Sequence, residues 1–276
     1  MLRIAILITA SIIVTWNAVS LVQHSLTFNP RKKSLNYDYH IKQHERNLKN
    51  IIKSNVNLTE HFIQTETDQF INAIYFKNPN TDIFIIYAHG NYGTIENCMD
   101  FLYRFASYGS IIIFDYSGYG KSTGSPDSKT LCDNALYVWK HIVYTLKIKP
   151  ENIVLYGFSL GGAVVSHLAY TLYHNPPKAV IVQSSFSSSQ EMAKQMVPVP
   201  VYHIGKFFMD HIFNSEKYLK KINDKTKILI IHSEDDEIVP FYHSKLLKDD
   251  VIIIKGSHNE PKFTKEFWLR FIDCLK

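Results

Sequence analysis

The sequence predicts an α/β protein with a mostly parallel central sheet that is flanked by helices on both faces. Short, uninterrupted apolar runs recur along the chain, and such runs are typical of strands that are buried on both sides. Helical patterns separate these runs from about residue 58 onward, and strict alternation of this kind favours a parallel sheet. The 276 residues are 46% hydrophobic and 20% charged, which suits one large or two small globular domains.

The positive charge of the chain is concentrated near its beginning. The formal net charge is +5, and residues 1–60 hold eight Lys/Arg against three Asp/Glu, which leaves 22 of each sign in the rest. A neutral main domain lacks the basic surface of a nucleic-acid binder, so we expect no nucleic-acid partner. Cys98, Cys132 and Cys274 are too few and too scattered for a disulfide framework or a zinc site.

The first 23 residues are predicted to be a hydrophobic anchor or signal segment. Ile4–Val22 is an uncharged stretch of 19 residues, and a helix of about 20 apolar residues spans a bilayer. We expect a single-pass membrane anchor, with secretion after signal cleavage at Ala18-Val19-Ser20 as the alternative. Basic residues 31–33 suit an anionic cytoplasmic leaflet, but positive charge at the amino terminus competes, so the orientation stays open. Residues 24–57 are predicted to be a basic linker.

The main domain, residues 58–276, contains seven predicted strands. Each is an apolar run, and the runs are Phe70–Phe76, Ile83–Tyr87, Ile111–Phe114, Ile153–Tyr156, Ala179–Val182, Ile228–Ile231 and Val251–Ile254. Helical patterns lie at Asn97–Ser107, Leu131–Leu146, Leu160–Tyr173, Phe241–Leu247 and Pro261–Leu275. The clearest helix repeats apolar residues on one face from Leu131 to Leu146 and follows Ser128, the predicted N-cap. In such folds the chemistry lies on loops after the carboxyl ends of the strands.

One of these loops has the pattern of a nucleophile. Gly157-Phe158-Ser159-Leu160-Gly161-Gly162 lies between a buried strand and a helix. A turn tight enough to expose a strained serine needs glycines where side chains would collide. We therefore predict that Ser159 is a nucleophile, against the alternative that the glycines serve only close packing of the strand and helix.

A serine nucleophile needs a histidine base and a carboxylate that orients it. The segment His232–Pro240 follows one strand and offers four acids, and His258 follows the last strand. Because the chain order serine, acid, histidine is the one that this kind of sheet uses, His258 is the predicted base. His232 and His243 are the nearest alternative histidines.

Two main-chain amides are predicted to stabilise an oxyanion. Leu160 directly follows the candidate nucleophile, and Asn91 belongs to His89-Gly90-Asn91-Tyr92-Gly93 after another strand. We expect His89 to be a structural hydrogen-bonding residue rather than a base. No metal or organic cofactor is implied by these residues.

Several motifs in order resemble the α/β-hydrolase superfamily. They are His89-Gly90-Asn91, the D-Y-S-G-Y-G-K-S-T-G segment at Asp115–Gly124, the serine motif at 157–162 and the segment His232–Pro240. Within the superfamily, the chain resembles the BEM46-like single-anchor serine hydrolases, relatives of membrane-associated depalmitoylating hydrolases. The resemblance runs from about Phe70 to the C-terminus.

The resemblance implies an identity for the acid. In the family's H-G-x-x-D-x-x-V-P pattern the acid lies three residues before Val-Pro, which corresponds to Asp236 here, with Asp235 as the fallback. Ser233 stands where glycine is usual, which puts the geometry of this turn in question. The segment Asp115–Gly124 corresponds to a framework loop.

A short cap is predicted between strands 6 and 7 of this fold, at about residues 184–227. Within it, Val201–Phe213 brings together the apolar residues Phe207, Phe208, Met209, Ile212 and Phe213. Such a patch beside the nucleophile suits an acyl chain, although simple packing of the cap on the core explains it equally well.

These observations predict a membrane-anchored serine hydrolase that cleaves a carboxylic ester or thioester of a lipid or another acylated molecule. A peptidase or amidase with the same triad is one alternative, and a catalytically silent, membrane-tethered binding protein is another. A haloalkane dehalogenase is disfavoured, because it needs a carboxylate where Ser159 stands.

Overall fold

The structure is a computed structural model that describes residues 17–18, 21, 24–25, 27–52, 57–65, 68–207 and 209–276. Most of the predicted anchor Ile4–Val22 therefore lies outside the described residues. Within the described ranges, no helix has the length and apolar character needed to cross a membrane.

In the described part of the chain, helices and strands alternate from the third strand onward, except that three helices lie between the sixth and seventh strands. In order, they are α1 (Tyr37–Ile52), β1 (Leu58–Gln64), β2 (Phe70–Phe76), β3 (Phe84–Ala88), α2 (Met99–Phe105), β4 (Ser110–Phe114), α3 (Ser128–Lys140), β5 (Ile153–Phe158), α4 (Leu160–Thr171), β6 (Ala179–Gln183), α5 (Ser189–Met196), α6 (Val199–Gly205), α7 (Ser215–Leu219), β7 (Lys227–Ser233), α8 (Tyr242–Leu247), β8 (Val251–Ile254) and α9 (Lys265–Leu275). A 3-10 turn, Ile95–Cys98, precedes α2, and a π-helical turn, His141–Thr145, follows α3.

The strands of the described chain form one eight-stranded sheet in the order β1-β2-β4-β3-β5-β6-β7-β8. From β4 through β8 all neighbours are parallel, while β2 is antiparallel to both β1 and β4. Every residue of β3, β4 and β6 is buried, because apolar side chains cover both faces of the sheet. The predicted α/β fold with a mostly parallel central sheet is confirmed.

Two local features differ from the sequence-based expectations. Strand β1 was not among the predicted strands, because it is a half-exposed edge strand in which polar residues such as Glu60 and His61 interrupt the apolar pattern. The prediction of Ser128 as N-cap of α3 is wrong. Asp127 is the N-cap, since its Oδ1 accepts a hydrogen bond from the Thr130 amide at 2.7 Å, and Ser128 is the first helical residue.

The segment expected to be a basic linker contains a packed helix. Leu48 of α1 is fully buried, and Tyr37 donates a hydrogen bond from its hydroxyl to Asn72 Oδ1 at 3.1 Å. Lys121 Nζ bridges the Asp38 and Glu60 carboxylates at 3.1 and 2.9 Å. Helix α1 therefore belongs to the same folded body as the sheet.

The segment between β6 and β7 has two parts. Helices α5 and α6 line the cavity described below. Helix α7 packs on α4, where the Tyr218 ring contacts those of His167 and Tyr170 at centroid distances of 5.1 Å. The first part of the predicted cap thus lies beside the candidate site, and α7 is part of the main helical layer.

Candidate active site

Ser159 lies on a tight turn between β5 and α4. Its φ of 53° and ψ of −120° place it in a region that residues other than glycine seldom occupy. A Cβ atom on Gly157 would lie 2.3 Å from the Gly161 carbonyl oxygen, and one on Gly161 would lie 2.0 Å from that of Ala88. These glycines are required by close backbone approaches, and they leave Ser159 at the amino end of α4.

Backbone hydrogen bonds hold this turn against the sheet. The Ser159 amide donates to the Gln183 carbonyl at the end of β6 at 2.9 Å, and the Gly162 amide donates to the Ser159 carbonyl at 2.9 Å. The strained conformation is therefore fixed on both sides, by the neighbouring strand and by the first turn of the helix.

Asp236 and His258 are brought together after the two adjacent strands β7 and β8. His258 Nδ1 lies 2.8 Å from Asp236 Oδ2, and both residues are buried. Asp235, the fallback acid, is exposed. The geometry therefore pairs the histidine with Asp236.

The Asp236 carboxylate is held in its ionised form. Burial alone raises its pKa, but hydrogen bonds from His232 and His258 outweigh burial, so the pKa lies well below its usual range. The amides of Ile238 and Val239 also donate to Asp236 Oδ1, at 3.0 and 2.8 Å.

His258 packs against the residue that precedes Ser159 in the chain. The His258 ring packs on the Phe158 ring with a centroid distance of 4.9 Å, and Phe158 directly precedes Ser159. Ser159 and His258 line the same cavity. Ser159 and the hydrogen-bonded pair of His258 and Asp236 thus all lie at the carboxyl end of the parallel strands.

The two alternative histidines have structural partners. His232 is fully buried, with Nε2 at 2.8 Å from the Val239 carbonyl and 3.2 Å from Asp236 Oδ2, while Nδ1 lies 2.5 Å from Ser244 Oγ. His243 Nδ1 accepts hydrogen bonds from the Ser187 hydroxyl at 3.1 Å and from the Ser187 amide at 3.3 Å. Burial lowers the pKa of His243 to about 4. Sequence reasoning missed that His232 shares the carboxylate of Asp236.

Two further side chains support the pair of Asp236 and His258, and sequence reasoning missed both. Ser233, which stands where glycine is usual, donates from its hydroxyl to the Gly256 carbonyl at 2.6 Å. Glu237 Oε2 accepts a hydrogen bond from the His258 amide at 3.0 Å. Ser233 therefore ties the acid-bearing loop to the histidine-bearing loop, a role that only the folded arrangement of the two strands reveals.

The loop after β3 lies against Ser159. A Cβ atom on Gly90 would lie 3.2 Å from Ser159 Cβ, and Asn91 and Leu160 line the cavity beside the serine. His89 is buried, Nδ1 lies 2.7 Å from the Gly90 carbonyl, and burial lowers the pKa of His89 to about 4. A neutral His89 whose Nδ1–H donates to this carbonyl helps to shape the loop.

The cavity has a volume of about 1060 Å³ and a largely apolar wall. On the side of the predicted cap its lining residues include Met192, Met196, Val197, Val201, Tyr202 and Met209.

The residues of the apolar cluster predicted in the cap lie in different environments. Met209 lines the cavity, whereas Phe207 is exposed and Phe213 packs at 6.2 to 6.3 Å from the rings of Phe28 and Phe186. Phe208 lies outside the described residues.

No group of three or more His, Cys, Asp or Glu side chains arranged to hold a metal ion occurs in the part of the chain that the structure describes. Cys98, Cys132 and Cys274 are free cysteines.

Comparison with known proteins identifies the family. The profile of the alpha/beta hydrolase fold family matches residues 84–215. An uncharacterized protein of Acanthamoeba polyphaga mimivirus, R595, is 32% identical over 247 residues, which cover 79% of this chain and 81% of that protein. The chain therefore belongs to the α/β-hydrolase superfamily.

An enzyme and a solved structure also resemble the chain. Lysophosphatidylserine lipase ABHD12 of Danio rerio is 33% identical over 180 residues, which cover 60% of this chain and 46% of that enzyme. The crystal structure of an alpha-beta hydrolase from Vibrio vulnificus superimposes with a TM-score of 0.62 at 18% identity, covering 89% of this chain and 95% of that one.

Proposed function

We propose that this protein is a serine hydrolase that cleaves a carboxylic ester or thioester of a lipid or another acylated molecule. The observation that carries the proposal is that Ser159, on its strained turn, and His258, hydrogen-bonded to an ionised carboxylate, line one apolar cavity. Strained serines of this kind are characteristic of nucleophiles in the family's fold.

In the proposed reaction, Ser159 Oγ attacks the carbonyl carbon while His258 Nε2 takes the hydroxyl proton. Asp236 accepts the hydrogen bond from His258 Nδ1 and stabilises the imidazolium. The main-chain amides of Asn91 and Leu160 donate to the oxyanion. His258 then returns the proton to the leaving alcohol or thiol, and a water molecule, activated by the same histidine, releases the acid from the acyl-serine.

The apolar wall of the cavity supports an acyl chain as the ligand. Long, flexible methionine side chains adapt to chains of different shape, and Met192, Met196 and Met209 all line the cavity. A relative that is named a lysophosphatidylserine lipase supports the same substrate class, although the chain spans less than half of that enzyme.

We further propose that the protein is a BEM46-like member of the superfamily and that Ile4–Val22 anchors it to a membrane. The support is the uncharged 19-residue stretch of sequence, together with the motifs at 89–91, Asp115–Gly124 and His232–Pro240. An anchor would keep the cavity close to lipid substrates.

Labelling by a fluorophosphonate probe tests the proposed nucleophile. We expect the wild type to be labelled and Ser159→Ala to be unlabelled and inactive while still folded. Ser185→Ala is a matched control, because the buried Ser185 hydroxyl has no hydrogen-bond partner among the described residues and the variant should still be labelled.

A folded wild type that is not labelled would contradict the proposal and favour a silent binding protein. Labelling that persists in Ser159→Ala would show that another residue is the nucleophile. Ester, thioester and amide substrates then separate an esterase from a peptidase or amidase.

A further inference from the structure

Residues 28–34, which lie in the segment expected to be a linker, cross the loops around the candidate site. We call these residues the strap. The Arg31 carbonyl accepts a hydrogen bond from the Gly120 amide at 2.7 Å, and the Lys33 amide donates to the Gly120 carbonyl at 3.3 Å. The Ser34 amide donates to Glu96 Oε2 at 2.8 Å. The strap is thus tied to the loops that follow β3 and β4.

One contact of the strap reaches the candidate oxyanion loop directly. The main-chain N–H of Asn29 donates to Asn91 Oδ1 at 2.8 Å. The Tyr119 hydroxyl donates to the same oxygen at 3.0 Å and lies 3.2 Å from the Asn29 nitrogen. Two donors therefore converge on the side chain of the residue whose amide is the second proposed oxyanion donor.

The loop that carries Asn91 needs such support. Gly90 precedes Asn91 and Gly93 follows it closely, and glycines leave the main chain free to adopt many conformations. An oxyanion donor contributes to catalysis only if its N–H already points at the reacting atom before the reaction begins. Two hydrogen bonds to the Asn91 side chain restrict the conformations of this residue and thereby the direction of its main-chain N–H.

The strap is firmly seated. The side chain of Phe28 is 7% exposed, and its ring lies 6.3 Å from that of Phe213 in the core. The Arg31 guanidinium lies 5.2 Å above the Tyr92 ring, and Arg31 lines the cavity. The strap is therefore part of the wall of the site and is anchored independently of its contact with Asn91.

We infer that the main-chain N–H of Asn29 is a positioning group that acts through Asn91. The strap, which precedes the sheet in the chain, is therefore part of the structure that turnover requires. The inference rests on the proposed function. It adds to that function a dependence of turnover on a segment that begins at Phe28, shortly after the apolar stretch Ile4–Val22.

Two substitutions of Asn29 in the full-length chain separate the main chain from the side chain. Asn29→Pro removes the N–H, whereas Asn29→Ala retains it. Pro30 already disfavours helical conformations at residue 29, and Tyr119→Phe below tests the same inference without a change to the main chain.

We expect kcat of Asn29→Pro on a soluble short-chain ester to fall roughly five- to tenfold with little change in KM, as the loss of one positioning hydrogen bond predicts. Asn29→Ala should keep the wild-type kcat. Amide hydrogen exchange of residues 89–93, followed by mass spectrometry, should accelerate in Asn29→Pro but not in Asn29→Ala, and this readout does not depend on turnover.

Tyr119→Phe provides a second test that does not involve proline, because it removes the other donor to Asn91 Oδ1. It should also lower kcat and accelerate exchange in residues 89–93. A merely structural role of the strap would lower the unfolding temperature of these variants without changing kcat.

Wild-type kcat and exchange in both Asn29→Pro and Tyr119→Phe would overturn the inference while leaving the proposed function intact. A wild type that neither reacts with the fluorophosphonate probe nor turns over an ester would instead overturn the proposed function. If Asn29→Pro does not fold, Tyr119→Phe decides the inference by the same two readouts.

Discussion

The carboxylate of Asp236 is the most heavily hydrogen-bonded side chain of the candidate site. Both histidines and two main-chain amides contact it, with His258 Nδ1 at 2.8 Å and His232 Nε2 at 3.2 Å from Oδ2. Its depressed pKa keeps the group negatively charged across the whole physiological range. A permanent charge at this point favours the tautomer of His258 in which Nε2 faces the cavity as a base.

Asp236→Asn should therefore lower kcat by roughly 10³- to 10⁴-fold, because an amide can present a donor to His258 Nδ1 and favour the wrong tautomer. Asp235→Asn is the matched control. Asp235 is exposed, so this variant should keep kcat within about twofold, as expected of a surface substitution. Steady-state kinetics on a soluble ester measures both. Comparable losses in the two variants would contradict the assignment of the acid.

Helix α1 lies in a basic segment of the chain and is nevertheless packed into the fold. Lys42 and Arg46 are exposed on the outer face of the helix, while Leu48 is completely buried in the same apolar cluster as Ile74 and Phe76 of β2. Lys121 forms ion pairs with Asp38 of the helix and with Glu60 of β1, and so joins the two elements. Residues 37–52 therefore contribute to stability as well as connecting two regions.

Leu48→Ala tests this packing by creating a cavity under α1. We expect the free energy of unfolding to fall by about 2–5 kcal/mol. Leu35→Ala removes the same atoms from a fully exposed side chain and should change that free energy by less than about 0.5 kcal/mol. Urea unfolding of both variants gives the comparison. Equal, small effects would indicate that α1 is only loosely attached.

The elements that could be predicted from the sequence are those with a pure apolar signal. The interior strands β3, β4 and β6 are buried on both faces, so their sequences are short apolar runs with few other interpretations. By contrast, β1 is held mainly by its main-chain pairing with β2, which the residue types of β1 do not reveal. Helix α1 was obscured because charged residues outnumber its buried ones.

At the scale of the whole molecule, the candidate site is assembled from segments far apart in sequence. The order of motifs was sufficient to propose that Ser159, His258 and the loop of Asn91 lie in one site, because parallel strands bring their carboxyl ends to one edge. The strap was not predictable, since its contacts are made by main-chain groups of residues such as Asn29 and Arg31. The course of the cap could not be inferred either, because apolar residues such as Met209 and Phe213 look alike in sequence yet face the cavity and the core respectively.

A second buried acid, Asp115, links two of these segments and affects the pH dependence of stability. It accepts hydrogen bonds from the Ile95 amide at 2.8 Å and from the Lys121 amide at 3.4 Å, and it lies 4.0 Å from His89 Nε2. Burial raises the pKa of Asp115 to about 7, whereas in an unfolded chain an aspartate titrates at about 3.9.

Between pH 4 and 7 the unfolded chain therefore loses a proton that folded Asp115 retains, so this group contributes stability at low pH that is lost as the pH rises to about 7. His89 acts in the opposite direction over a similar range, because burial lowers its pKa to about 4 in the folded state. Asp115→Asn removes the first contribution and leaves the second. When the pH is raised from 4.5 to 7.5, the free energy of unfolding should then increase more, or decrease less, in Asp115→Asn than in the wild type. Urea unfolding at the two pH values measures this difference, and identical pH dependences in the two proteins would show that Asp115 is already ionised in the folded state at pH 4.5.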